Sequence, residues 1–424
     1  MPSFQTVRGM RDLLAEEAET LNYVICKARE TAELYGYREI ITPVVEPYEL
    51  LSAKSGEEIR QRMFTFKDLG DRTVALRPEF TASIARLATT VLKNEPKPLR
   101  TFSVGSVYRY DEPQRGRYRE FWQSDFELIG SNKPEADAEI ILLTNNLMKR
   151  VGLRNYAFKL GNVGVIRGIL SQEKVDEKAQ NAVLQRMDKK EYDEAFNLIK
   201  SESCRKTLQT LVELKSSGPL ETAEKMRAHV ENYDEAAAAA DSLLETLKLV
   251  TESGCNNVTI DPGFGRGLEY YTGMIFEVYI PELDIAIGGG GRYDKLIEAF
   301  GGEPTPATGV AHGLDRIALA IKMQNTALRT GQRKKAVVIP VKEELKAEAL
   351  KISQSLREAG IPAELEVMGR KMTKALEDAD RRKMDYAIIV GEKELKEGSV
   401  VVRDLAKREQ TTVKIEDLAE KIKG

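Results

Sequence analysis

The sequence predicts an antiparallel α+β body interrupted by a helical insertion, with a separate small α/β module after it. Three observations carry this reading. Two strand–turn–strand stretches, Met63 to Arg77 and Leu99 to Ile129, lie in the first third of the chain. A charged, Ala/Leu/Glu/Lys-rich stretch runs from about Gly164 to Ser253. From Ala336 onward, short continuous apolar runs alternate with amphipathic helical patterns, the signature of a doubly wound sheet.

In chain order, "RDLLAEEAETLNYVICKARETAELYGY" puts Leu14, Ala18, Leu21, Val24, Ile25, Ala28 and Ala32 on one helical face that ends near Gly36. "REIITPVVEPYEL" then switches to β-branched residues punctuated by Pro43 and Pro47, as an edge or interface strand would. "MFTFKDLGDRTVALRPE" alternates on both sides of Leu69-Gly70-Asp71 and reads as a hairpin, with a helix starting at about Thr81. A longer hairpin follows: strand Leu99 to Tyr110, a Pro-Gln-Arg-Gly turn, and strand Tyr118 to Ile129. A helical period begins near Glu135 and continues through the insertion, including "EAAAAADSLLETLKLV". Strands return in "DPGFGRGLEYYTGMIFEVYI" and "LDIAIGGGGRYD", before the apolar helix "GLDRIALAIKM" and a polar linker. In the last module "AVVIPV", "IPAELEV" and "YAIIVG" are strands, and "EELKAEALKISQSLREAG" and "KMTKALEDADRRK" are helices. The expected boundaries are a body of residues 1–163 and 254–325, an insertion of 164–253, a linker of 326–335 and a module of 336–424.

Composition narrows the function. At 424 residues the chain is too long for one ordinary core. With 64 Lys+Arg against 67 Asp+Glu the net charge is −3, so any nucleic-acid contact must come from local patches. Cys26, Cys204 and Cys255 are scattered, which points to a reducing, cytoplasmic setting. With His229 and His312 as the only histidines, neither a multi-histidine metal site nor a zinc finger is available. No apolar leader opens the sequence and no apolar run approaches about 20 residues, so a soluble, unexported protein is expected, with no membrane partner.

"RYDEPQRGRYREFWQSDFELIG" concentrates Arg109, Arg115, Arg117 and Arg119 in the longer hairpin. A strand can aim Arg109 inward, where a fixed guanidinium would bind a phosphate and keep stabilising it as negative charge builds up, while the loop arginines reach outward. "GGGGRYD" (Gly288 to Asp294) follows a predicted strand, but has neither P-loop nor dinucleotide spacing, and reads as a bulge or a close backbone approach. "RKMTK" (Arg370 to Lys374) reads as a solvated helical face.

Four blocks in order resemble the histidyl-tRNA synthetases, a family of class II aminoacyl-tRNA synthetases: "LRPEFTASIARL", "YRYDEPQRGRYREFWQSDFELIG", "GRGLEYYTGMIFEVY" and "GGGGRYDKLIEAFGG" with "TGVAHGLDRIALAI". "VRGMRDLL" and "AIIVGEKELKEGSVVVRDL" fit the same family, so the resemblance runs along nearly the whole chain. It implies that the body is the class II catalytic domain, that the segment around Pro43 is a homodimer interface, and that 336–424 is an anticodon-binding domain. It also implies the reaction: L-histidine and ATP give histidyl-adenylate and pyrophosphate, and the histidyl group then passes to the 3′ end of tRNA(His). The carboxylate of the substrate is the nucleophile, so catalysis is positioning plus charge stabilisation, with Mg2+ accompanying ATP and held mainly by phosphates and water.

Residue by residue, the resemblance implies Arg109 and Arg266 as the catalytic cations that flank the α-phosphate. Asp111 would be an acid near ATP, and Phe121 and Arg316 would sandwich adenine. Glu79, Thr81 and Gln123 would hold the ammonium and carboxylate end of histidine. Neutral imidazole presents one N–H donor and one acceptor, and Glu127 and Tyr271 would address the two, with Tyr270 and Tyr293 closing the pocket. Such a site rejects analogues that lack those groups by about 10⁴-fold or more. Gln114, Arg115, Arg117 and Arg119 are the candidates for the tRNA acceptor end.

The chain departs from the family pattern at Phe80, where a glycine is common and a larger ring would narrow the pocket, at Glu112, where an arginine is common, and at His312 before "GLDR". Trp122 and Asp125 are closer to archaeal or eukaryotic members. Two other readings compete. One is the inactive, synthetase-like regulatory subunit of ATP phosphoribosyltransferase, which typically lacks the last domain. The other is a class II synthetase for a different amino acid, against which Glu127 and Tyr271 argue.

Overall fold

The computed structural model describes residues 4–53, 56–214, 216–266, 270–328 and 334–423. The chain divides into two compact units, Met1–Leu328 and Arg329–Gly424. Gly267, Leu268 and Glu269 of the tyrosine-pair block, and part of the expected linker, lie outside the described residues.

In the first unit the helix Ala15–Leu34 buries Leu21, Val24, Ile25, Ala28 and Ala32, and Gly36 turns the chain away at φ +73°. Leu14 departs from the expectation: it lies at the N-cap and is exposed. The chain then forms β1 (Arg38–Glu39), β2 (Val45–Pro47), β3 (Thr65–Lys67), β4 (Thr73–Leu76), β5 (Leu99–Tyr108), β6 (Glu120–Ile129), β7 (Ala157–Asn162), β8 (Val258–Ile260), β9 (Met274–Tyr279), β10 (Gly288–Arg292) and β11 (Ala307–Gly313). The single strand expected around Pro43 is instead two short ones in different sheets. Proline supplies no N–H and restricts its predecessor, so the ladder breaks between them. β2, β4 and β3 form a small antiparallel sheet that contains the expected first hairpin.

The main sheet has eight strands in the order β1-β5-β6-β11-β10-β9-β7-β8, antiparallel throughout except for its two edge pairs. In the long hairpin Leu99 faces Ile129 and Tyr108 faces Glu120. Opposed residues share a face, so Phe121, Gln123, Asp125 and Glu127 all project to one side of the sheet. On the other side Phe126 packs on Phe102, Tyr37 and His312. His312 Nδ1 lies 3.2 Å from Ser124 Oγ and its Nε2 3.0 Å from Thr144 Oγ1, on the helix Pro134–Arg150. The departure at His312 is thus a buried staple between sheet and helix.

Glycines 288–291 do not follow a strand; they are the strand β10, buried between β9 and β11. The preceding "LDIAI" forms no strand, contrary to its apolar alternation. The helices from Val163 to Glu252 join the body's own core, with Val183, Leu184, Met187, Leu208 and Leu243 in the same apolar cluster as the sheet. A Cβ on Gly168 would run into the backbone of Ala236, so glycine there lets the helices Val163–Gln172 and Asp234–Glu252 pack together.

In the second unit β12 (Ala336–Pro340), β13 (Ala363–Leu365) and β14 (Tyr386–Val390) are parallel, and β15 (Ser399–Asp404) and β16 (Glu409–Lys414) extend the sheet antiparallel in the order β13-β12-β14-β15-β16. The helix Lys346–Glu358 covers one face through Ala349, Ile352 and Leu356, and the helix Met372–Arg381 covers the other through Ala375 and Ala379.

Candidate active site

Every cleft needs a place where side chains are missing, and the centre of the main sheet supplies one. Across β6, β11, β10 and β9, Glu127 faces Gly309, Gln123 faces Gly313, and Ala311 faces Gly289, which in turn faces Glu277. Small residues floor a cleft walled by longer side chains from the flanking strands. The glycines are required: a Cβ on Gly309 would overlap Glu127 Oε2, and one on Gly289 would lie 2.7 Å from Arg266 Nη1.

The cleft gathers Glu79, Thr81, Arg109, Phe121, Gln123, Glu127, Arg266, Tyr270, Tyr271, Tyr293 and Arg316, eleven of the sequence candidates. Arg109 and Arg266, distant in sequence, share it. Arg109 Nε donates to Pro78 O at 3.0 Å, and its guanidinium lies 5.5 Å from the Phe121 ring centroid. Arg266 donates to Tyr271 Oη at 3.4 Å and lies 3.6 Å from Glu277 Oε1. Burial disfavours the Arg266 charge, but Tyr271, Glu277 and Tyr270 outweigh it and hold its pKa above the ordinary value. Arg316 Nε donates to Gly116 O at 2.9 Å and Nη1 to Ala286 O at 2.7 Å. Burial, with Arg117 and Arg109 nearby, pulls its pKa down to about 10. A cleft that crowds cations this closely is suited to a polyanion.

The acids are arranged differently. Burial raises the Glu79 pKa, while Arg109, Arg266 and a Tyr270 hydrogen bond pull it back. Burial pushes Glu127 up to about 8, against hydrogen bonds from Tyr293 and Thr81. Tyr293 Oη donates to Glu127 Oε2. The Tyr270 ring packs against Tyr271 and Tyr293 at centroid distances of 4.8 and 5.7 Å, making a rigid aromatic wall. Gln123 Oε1 is buried and accepts no hydrogen bond among the described residues, leaving an acceptor for a donor that enters the cleft.

The remaining candidates lie outside the cleft. Asp111 pairs with Arg62 at 3.0 Å. Gln114 and Arg117 close the hairpin turn through their backbones, with Gly116 at φ +75°, and Gln114 and Arg115 are exposed. Arg119 corrects the expectation of an outward arginine. It is 4% exposed, stacks on Tyr110 at 3.5 Å and donates to Asp111 O, because the N-terminal segment covers it. Phe80 does not narrow the cleft. It is buried beneath Arg77, with its ring over Gly105 of β5. Glu112 pairs with Arg8 at 2.8 Å.

Two cleft residues were missed from sequence. Glu277 was signalled only as the one acid in "MIFEVY"; Asp315, in the first turn of the helix Leu314–Met323, accepts from Trp122 N–H at 2.6 Å.

The histidyl-tRNA synthetase family model matches residues 9–317, and an anticodon binding domain model matches residues 335–424. The chain belongs to the histidyl-tRNA synthetase family. The synthetase is 41% identical over 418 residues to the histidine–tRNA ligase of Methanocaldococcus jannaschii, a match covering 98% of each chain. The histidyl-tRNA synthetase structure from Nostoc sp. PCC 7120 superposes with a TM-score of 0.81 at 22% identity, covering 100% of this chain and 99% of its own, and so supports the fold. A Bacillus halodurans structure described as an ATP phosphoribosyltransferase regulatory subunit/histidyl-tRNA synthetase superposes with a TM-score of 0.75 at 28% identity, covering 88% of this chain and 96% of its own. The synthetase therefore has the class II α+β catalytic fold with a C-terminal anticodon-binding domain, and it is an aminoacyl-tRNA synthetase.

Proposed function

We propose that the cleft is where this histidine–tRNA ligase activates L-histidine with ATP and then transfers the histidyl group to tRNA(His). One observation carries the reading: Arg109 and Arg266 meet in the same cleft as Glu127 and Tyr271. The histidine carboxylate attacks the α-phosphorus and pyrophosphate leaves, while the two guanidinium groups neutralise the charge that accumulates on the phosphate oxygens. Phe121 and Arg316 take the adenine between them. Glu79, Thr81 and the unpaired Gln123 Oε1 receive the α-ammonium end. Glu127, once ionised, accepts from one imidazole nitrogen and Tyr271 addresses the other, with Tyr270 and Tyr293 fixing the wall.

Mg2+ would be held mainly by the phosphates of ATP and by water, adding charge neutralisation to that of the arginines. Among the described residues no group of three or more His, Cys, Asp or Glu side chains forms a cage for it. Asp111 would act from the rim, and Gln114, Arg115 and Arg117 would meet the acceptor end, with Arg119 supporting their loop. The exposed apolar residues Ile41, Val44 and Val45 support a homodimer through the Pro43 segment. No described helix is long and apolar enough to cross a membrane, and a cytoplasmic setting fits the free thiols. The regulatory-subunit reading is disfavoured because Arg266, the tyrosine pair and the anticodon-binding domain are all present.

The test is pyrophosphate exchange into ATP by the full chain. Exchange is expected only with histidine, and Arg266→Ala is expected to abolish it with the fold intact. Exchange that persists in that variant overturns the mechanism; exchange driven by another amino acid overturns the substrate.

A further inference from the structure

The N-terminal segment before the first helix does more than cover the body. Gly9 O accepts from Arg119 N–H at 2.8 Å, and Gly9 itself sits at φ +85°. A Cβ there would lie 2.8 Å from Arg119 Cγ and Cδ, so this glycine lets the segment press onto the hairpin. Two residues on, the Arg11 guanidinium stacks 3.5 Å from the Tyr118 ring centroid, on the outgoing arm of the hairpin loop. The same guanidinium donates to Asp315 Oδ1, and Asp315 Oδ2 accepts from Trp122 N–H at 2.6 Å. Asp315 is followed directly by Arg316, whose Nε donates to Gly116 O at the loop tip at 2.9 Å. Arg11 is thus the cation of a closed bracket: loop arm to Arg11, Arg11 to Asp315, Asp315 to β6, and Arg316 back to the loop.

We infer that Arg11 is a positioning residue for the ATP half of the site, acting through Asp315 to set the place of Arg316 and of the loop that carries Gly116. Asp315 is a buried carboxylate with an arginine partner on one oxygen and a backbone N–H on the other. Removing the arginine leaves an under-compensated charge in the first helical turn and frees the helix start and the loop to shift together. Arg11 itself does not line the cleft. The effect must therefore appear in how ATP is held rather than in how histidine is held, because Tyr271 and Tyr293 stand on other elements and Glu127 lies further along β6, away from the end where Trp122 meets Asp315. The inference rests on Arg316 facing ATP.

The experiment is pyrophosphate exchange by the full chain, with ATP titrated at saturating histidine and histidine at saturating ATP. Arg11→Ala is expected to raise the KM for ATP about tenfold while leaving that for histidine within about twofold. Arg11→Lys, which keeps the charge, is expected to recover most of the loss. Tyr118→Leu, which removes only the stacking partner, is expected to give a smaller rise of the same kind, and it decides the matter if Arg11→Ala does not fold. Arg316→Ala is the control. If it leaves the KM for ATP unchanged, the assignment of Arg316 to ATP falls and takes the inference with it. If Arg316→Ala raises that KM and Arg11→Ala does not, or if Arg11→Ala or Tyr118→Leu weakens both substrates equally, the inference alone is overturned.

Discussion

Replacing Glu127 by glutamine is expected to make the synthetase more stable and less able to use histidine, and the two effects have one cause. Burial holds the Glu127 pKa at about 8 against an ordinary 4.5. Between those values the native protein keeps a proton that the unfolded chain has released, so stability falls as pH rises through this window and levels off above pH 8. The loss is worth about 1.4 kcal/mol per pH unit, on the order of 3 kcal/mol at pH 7. Glutamine fills the same volume, keeps an acceptor for the Tyr293 hydroxyl and has no charge to bury. The first thermal transition of Glu127→Gln is therefore expected to lie a few degrees above that of the unmodified protein at pH 7, on the scale of about 2–4 °C per kcal/mol or somewhat less for a unit of this size. The gap is expected to widen between pH 5.5 and 8. Scanning fluorimetry at half-unit pH steps, with and without saturating histidine, measures both halves. Histidine should raise the transition of the unmodified protein by mass action and leave the variant's nearly unmoved. A gap that stays constant with pH, or a less stable variant at pH 8, would refute the reasoning.

Other expectations follow from the same geometry. Gly309→Ala places a methyl group where Glu127 Oε2 lies, and should cut histidine-dependent exchange by about 100-fold or more while circular dichroism stays unchanged. His312 is held neutral by burial, its pKa pushed down to about 3. Since the unfolded chain takes up that proton below about pH 6.5, the residue should cost stability as pH falls from 6.5 toward 3, and acid unfolding of His312→Gln should start at lower pH. The buried Arg292 meets Asp137 and Asp294, each at 3.0 Å, and also donates to Ser131 O and Lys133 O. Because Asp294 still pairs with the arginine, Asp137→Ala should destabilise the first unit by about 1–3 kcal/mol in urea unfolding, and a loss below about 0.5 kcal/mol would show that Asp294 alone holds it.

Much of this synthetase was legible in its sequence, for identifiable reasons. The helix Ala15–Leu34, both hairpins and the alternation after Ala336 follow from the period of the apolar residues, which local backbone geometry sets. The cleft candidates, Phe121, Gln123 and Glu127 among them, came from the resemblance of four blocks rather than from period. What periodicity cannot say is what lies opposite a face. Four glycines carry no pattern, and they become the strand β10 only because β9 and β11 approach from either side. Arg119 reads like its neighbours Arg115 and Arg117, but the N-terminal segment returns to bury it and leaves Arg115 exposed. Glu277 is one acid in an apolar strand until Arg266, earlier in the same block, is folded back to within 3.6 Å. Sequence by itself determined most of the elements that form and which chemical groups they carry. Only the tertiary structure decided which of those groups share a low-dielectric cleft, because that depends on contacts between residues that the chain holds more than a hundred positions apart.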